Sequence, residues 1–261
     1  MITVEADDLS TAWLRAATRL ERAPKRKSAH TVVRIADPVA ERPDVRAAMD
    51  ELLAHPQYPK YQSAETVANT IFPAAIARSS RNHAELVERY VRMYPLLMHR
   101  YDKNDRGTYF GRLVQYPTAK GPFDQIGAVI SRIAIERKSP RPKQARYEAT
   151  LGVPDDLAVN TPIYVPGTDN SPMAFPCLSH CSFQIDTEGR VHLLATYRSQ
   201  YMVERGYGNY LGLGRLLAYV GEKAGLQVGH LTVVTGLAHL ESPILPVRAM
   251  LEKFAENAAF S

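Results

Sequence analysis

The sequence predicts an α/β (α+β) fold, a large and mostly antiparallel sheet backed by helices, in one domain over residues 1–261. Three observations carry this. Segments with apolar residues at helical spacing alternate with runs rich in β-branched and aromatic residues. Two apolar runs, 173–186 and 191–197, are joined by Thr187, Glu188 and Gly189, the composition of a hairpin turn. A chain of 261 residues with 45% hydrophobic and 23% charged content is long enough and apolar enough to bury one sizeable core.

The elements follow in chain order. Asp8 or Ser10 caps a first helix carrying Trp13, Leu14, Ala17 and Leu20, and the basic turn 22–27 leads to a strand over 30–35. Short helices are expected over 46–53 and 63–72, the second ending at Pro73. A longer one over 82–101 places Leu86, Tyr90, Met93, Leu96 and Leu97 on one face. Residues 108–117 are aromatic and β-forming, so an extended segment is expected there, before a helix over 124–136 that Asp124 begins. Residues 145–151 read as extended and 152–170 as a long loop rich in Pro, Asp and Asn. The hairpin comes next, then a Gly-rich stretch entering a helix with Leu213, Leu216, Leu217 and Val220, a strand over 231–234 and a last helix over 247–259. The division expected within the domain is a helical N-terminal part, 1–104, and a core, 105–240.

Composition narrows the function classes. No apolar run reaches the roughly 18 residues of a membrane span, and the N-terminus lacks a basic start and apolar stretch, so a cytoplasmic location and no membrane partner are expected. Two cysteines four residues apart, Cys177 and Cys181, make no disulfide framework. The net charge of +5 is modest and its clearest cluster lies at a helix end, a solvated terminus rather than a nucleic-acid patch; a small anionic ligand explains the balance equally well, so charge decides little, and no nucleic acid polymer is expected as a partner. Cys177, His180 and Cys181 crowd one strand with no fourth donor, a poor zinc site, so no metal is expected. The glycines of 206–212 lack the strand and acidic partner of a dinucleotide loop.

One segment is more specific. Pro176-Cys177, Phe183-Gln184, Tyr197-Arg198-Ser199, Asn209, Gly229 and Thr235-Gly236 with His239 resemble, in order and spacing, the catalytic half of thymidylate synthases. Upstream, Tyr109 within 107–117 and Asp124-Gln125-Ile126 look like that family's tyrosine-bearing strand and its next helix. No piece is specific alone. A cysteine in an apolar strand is by itself more often inert core, and the joint order is what argues otherwise.

The resemblance implies the thymidylate synthase-like fold and a homodimer formed through its sheet. It also implies roles. Cys177 is the nucleophile that adds to carbon 6 of a pyrimidine nucleotide and so activates carbon 5 for methyl or hydroxymethyl transfer. Arg198 favours the thiolate and, with Ser199, binds phosphate. Asn209 matches a uracil edge with its paired donor and acceptor, Tyr109 shuttles the proton, and His239 contacts the sugar. Gln184 belongs to the same substrate-binding set, and Arg141 and Lys143 stand where the family supplies phosphate ligands from the other subunit.

The cofactor implied is 5,10-methylenetetrahydrofolate, yet the departures from the pattern fall on its side. Tyr201 stands where the family has a pterin-binding aspartate, and Glu241 where it has a tyrosine. The early acidic residue that organises proton transfer maps to Asn69 by apolar register or to Glu65 as the nearest carboxylate. Only 22 residues follow His239, where the family continues to a closing tail. Two readings stay open: an enzyme acting on carbon 5 of a uridine-type nucleotide, or a catalytically divergent member that binds a nucleotide as a sensor or assembly partner.

Overall fold

In the computed structural model the described residues are 1–100, 107–139, 143, 147–152 and 177–255. The chain opens with a strand that the sequence reading missed, β1 (Thr3–Asp8), whose alternation of exposed and buried side chains is that of a half-buried strand. Asp8 ends it and caps α1 (Leu9–Glu21) through a carboxylate that accepts the Thr11 N–H at 2.9 Å. Then come β2 (Lys27–Asp37), α2 (Pro43–Leu53), α3 (Ala64–Ile71), α4 (Ala74–Arg78) and α5 (His83–Arg100). The face expected on α5 is only half buried: Leu86 and Tyr90 are in the core, whereas Met93 and Leu96 are 42% and 70% exposed.

Residues 109–114 correct the expectation of an extended segment. They form a helix, α6 (Tyr109–Val114), because the Thr108 hydroxyl accepts the Gly111 N–H at 3.1 Å and nucleates a turn that residue propensity alone does not indicate. A small ribbon, β3 (Tyr116–Thr118) with β4 (Gly121–Phe123), precedes α7 (Gln125–Glu136). Asp124 caps α7 and also meets His83 Nε2 at 2.7 Å, while His83 Nδ1 meets the Tyr219 hydroxyl at 3.0 Å. Then follow β5 (Glu148–Thr150), β6 (Leu178–Ile185), β7 (Arg190–Tyr201), α8 (Tyr207–Ala224), β8 (Gln227–His239) and α9 (Leu245–Lys253). Most of the long loop expected over 152–170 lies outside the described residues.

Six strands make one mixed sheet in the order β1-β2-β8-β7-β6-β5. Three of its pairings are antiparallel, while β1–β2 and β7–β8 are parallel. On one face Val33, Ile35, Phe183, Leu193, Ala195, Leu231 and Val233 are buried with α1 and α8 in a single core; alternate positions such as Arg34, Gln184 and Leu194 point the other way and are exposed.

Helix α8 lies unusually close to α3. A Cβ on Gly208 would stand 2.6 Å from Val67 Cβ, and one on Gly212 would stand 2.7 Å from the Ala68 carbonyl oxygen. The Gly-rich stretch is thus a helix-packing surface. On the same pair of helices Arg215 holds Glu65 through two bonds of 2.7 and 2.8 Å.

Candidate functional site

The sequence-predicted residues gather where β7 and β8 end and β6 begins, the carboxyl end of the parallel pair, where open sheets commonly bind ligands. Leu178 is paired with Tyr197, which places Cys177 beside Arg198. The Arg198 N–H donates to the Cys177 carbonyl at 2.9 Å. The Cys177 sulfur, half-buried, lies 3.9 Å from the Ser199 hydroxyl. Arg198 itself is exposed.

Tyr109 enters from the first turn of α6. Its ring meets that of Tyr197 edge-on, with centroids 6.4 Å apart at 85°. Its hydroxyl is pushed up to about 12, first by burial and then by the charge of Cys177; Arg205, the Leu178 N–H and Arg198 oppose the rise. At neutral pH it is therefore a protonated phenol, able to donate but not to act as a standing base.

Asn209 sits in the first turn of α8, only 3% exposed. Its Oδ1 has no hydrogen-bond partner among the described residues, and neither do Tyr197 Oη and Gln200 Nε2. Leaving such an atom unpaired costs about 1–3 kcal/mol, so half of the six orphans falling on these three residues is informative. Each calls for a partner, a water or a ligand, beyond the described side chains.

His239 closes β8 opposite Tyr201, with the rings 5.8 Å apart. Burial, then Lys27 and Arg26, lower its pKa, which keeps the imidazole neutral at pH 7. Gln184 does not join this group. It lies seven residues along the strand from Cys177, about 23 Å at the usual rise, with Nε2 3.5 Å from Glu148 and 3.4 Å from Ser182. Arg141 lies outside the described residues, and Lys143, an exposed residue, donates its backbone N–H to Glu136 at 2.9 Å. Cys181 is fully buried and its thiol is pushed up to about 12 by burial, so it is the inert cysteine of the two. Among the described residues no three His, Cys, Asp or Glu side chains are grouped to hold a metal ion, and no helix is long and apolar enough to cross a membrane.

Sequence reasoning missed the segment joining β7 to α8. Met202–Gly206 forms a wide, π-type turn, a feature frequent at functional sites. It carries Arg205, held by Gln62 at 2.9 Å and by Glu204 at 3.2 Å, and close enough to act electrostatically on Tyr109. The Glu241 carboxylate anchors the turn by accepting the N–H groups of Val203 at 3.1 Å and Glu204 at 2.6 Å. Nothing in the spacing signals a π-type turn. The Glu204-Arg205 pair before the glycines was its only trace.

No protein-family model matches the chain. Over 133 residues, 51% of this chain and 52% of the relative, it is 32% identical to a protein of Methanosarcina mazei named "Putative thymidylate synthase". Over 120 residues, 46% of this chain and 47% of the relative, it is 28% identical to a Methanosarcina barkeri protein of the same name. The chain thus spans about half the length of the curated relatives it matches, and over that half it is similar to two proteins that carry this name.

Proposed function

We propose that this protein uses Cys177 as a nucleophile on a uridine-type nucleotide to activate carbon 5 for one-carbon transfer, methyl or hydroxymethyl. The observation that supports this reading is that Cys177 and Ser199 lie 3.9 Å apart with Tyr109 in electrostatic reach of the sulfur; Asn209, buried in the first turn of α8, adds an Oδ1 with no partner among the described residues. A uracil edge offers an N–H to that oxygen and a carbonyl to the amide nitrogen.

The hydrogen exchange at carbon 5, the part of the reaction these residues carry, balances without an oxidant or reductant. The sulfur forms a bond to carbon 6, and the electron pair of the ring double bond moves toward carbon 5 and the adjacent carbonyl oxygen. Carbon 5 then takes up a proton, loses its original hydrogen as a proton, and the ring re-forms as the thiolate departs. Arg198 and Ser199 would bind the phosphate, and His239, neutral at pH 7, would meet the sugar. The second copy that the resemblance implies would supply Arg141 and Lys143.

The residues present do not fit methylenetetrahydrofolate in the pose that the resemblance implies. Tyr201 is an exposed aromatic ring, 52% accessible, where a carboxylate is required. Glu241 has a carboxylate to offer, but it is buried and both oxygens already accept backbone N–H groups. This misfit favours, as the second reading, a nucleotide sensor that binds without turnover.

Release of tritium from carbon 5 of a labelled uridine nucleotide, with folate omitted, tests the proposal. The wild type and Cys181→Ser release label and Cys177→Ser does not. Binding without release favours the sensor, and equal loss in both cysteine variants assigns Cys177 a structural role.

A further inference from the structure

Tyr197 is fully buried, and its hydroxyl has no hydrogen-bond partner among the described residues. A phenol can donate as well as accept, and buried tyrosines normally find a partner. This one lies on β7 directly before Arg198, paired across the sheet with Leu178 and therefore next to Cys177. Its ring packs edge-on against Tyr109. Both phenols, from β7 and from α6, lie within electrostatic reach of Cys177, and among the described residues the Cys177 sulfur has the Ser199 hydroxyl as its polar neighbour.

We propose that Tyr197 is a further substrate-contacting residue, whose hydroxyl donates a hydrogen bond to the conjugated carbonyl oxygen of the ring that Cys177 attacks. The inference rests on the functional reading above and deepens it. As sulfur adds, charge builds on that oxygen, and a donor already fixed in a dry wall stabilises it more than mobile water does. The direction of ionisation agrees: burial first, then the charges of Tyr109, Cys181 and Cys177, hold the Tyr197 hydroxyl well above its ordinary value, so it keeps the proton it donates. A protonated phenol in this position supplies no base, and Tyr109 is protonated as well, which leaves removal of the carbon 5 proton to water. The donor is needed most when charge has developed, so its removal falls on turnover more than on ground-state binding.

The test is Tyr197→Phe, with Tyr210→Phe as a control, since Tyr210 is likewise buried but lies on α8. Removing a hydroxyl that has no partner in the fold leaves the melting temperature unchanged or raised. Tritium release at saturating nucleotide falls at least tenfold in Tyr197→Phe, nucleotide affinity changes less than threefold, and Tyr210→Phe matches the wild type. Release within twofold of the wild type overturns the role of Tyr197 and leaves the functional reading intact. A melting temperature well below that of Tyr210→Phe also overturns it, because the hydroxyl then serves the fold. If the wild type itself releases no label, the functional reading fails and the inference fails with it.

Discussion

Glu65 and Arg215 face each other across α3 and α8 as a two-bond pair, at 2.7 and 2.8 Å. Arg46 approaches the same carboxylate at 3.7 Å, and Asn69 donates to it at 3.3 Å. Both candidates for the family's early acidic residue are therefore bonded to each other, and the carboxylate is committed to two arginines. The Arg215 bonds are the largest influence holding Glu65 below its ordinary value. Removing the partner in Arg215→Ala costs about 1–2 kcal/mol in urea denaturation at pH 7, at the upper end for a half-exposed pair because the fork geometry is good. Because the folded-state pKa is lowered, this contribution is present above the ordinary value of 4.5 and fades as pH falls through the folded value. The gap between wild type and variant narrows on acidification.

Gly208→Ala meets Val67 Cβ at 2.6 Å and the Ala64 carbonyl oxygen at 2.8 Å. Neither can move without shifting α3, so the substitution costs about 1–3 kcal/mol despite the better helix propensity of alanine. The adjacent Asn209 moves with the helix. Calorimetry shows a lowered melting temperature, and nucleotide titration shows weaker binding.

Glu241 titrates in the opposite sense to Glu65. Desolvation outweighs its two backbone bonds and raises it from 4.5 to about 7, with Glu204, Tyr58 and Tyr61 as the ionisable groups nearby. Between those two values the folded protein holds a proton that the unfolded chain has released, so stability falls as pH rises through that window, by about 3 kcal/mol in all. In Glu241→Gln that slope disappears. Denaturation at about pH 5 and pH 8 then shows the variant gaining on the wild type with rising pH, and parallel curves would exclude a buried titrating carboxylate here.

The proposed phosphate role of Arg198 predicts that Arg198→Ala costs about 1.5–3 kcal/mol of nucleotide affinity, the loss of one charge-assisted contact. Nucleoside affinity, measured by the same calorimetric titration, stays unchanged. Equal losses for nucleotide and nucleoside would assign the arginine to the ring rather than the phosphate.

The nearness of Cys177 to Arg198 and Ser199 was legible because Cys177 directly precedes β6, the other two lie on β7, and the pairing of these two patterned strands needs only the hairpin at 187–189. Tyr109 was legible as a residue and not as a helix. The Thr108 cap outweighs the β propensity around it, and caps are single atoms that a pattern of hydrophobicity does not weigh. Strand β1 was hidden because it is short and rich in Glu and Asp, residues of low strand propensity, so that only Val4 and Ala6 mark its buried side. Arg205 and Tyr197 were illegible as site residues. Their importance depends on a wide turn and on an unpaired hydroxyl, and both exist only once the chain is folded.

The wide turn at Met202–Gly206 also acts as an angular key for α8. Each residue of an α-helix advances the side chain by about 100°, so the number of residues spent before Tyr207 decides which way every later side chain looks. Gly208, Gly212 and Arg215 share one bearing on that helix, toward α3, and Asn209 lies about a quarter turn away. Deleting one residue from the turn would swing both bearings together, turning the amide aside and carrying the glycines off α3 and the guanidinium away from Glu65. Chemistry and packing are therefore keyed to a single rotation, and the turn tolerates changes of residue type far better than changes of length.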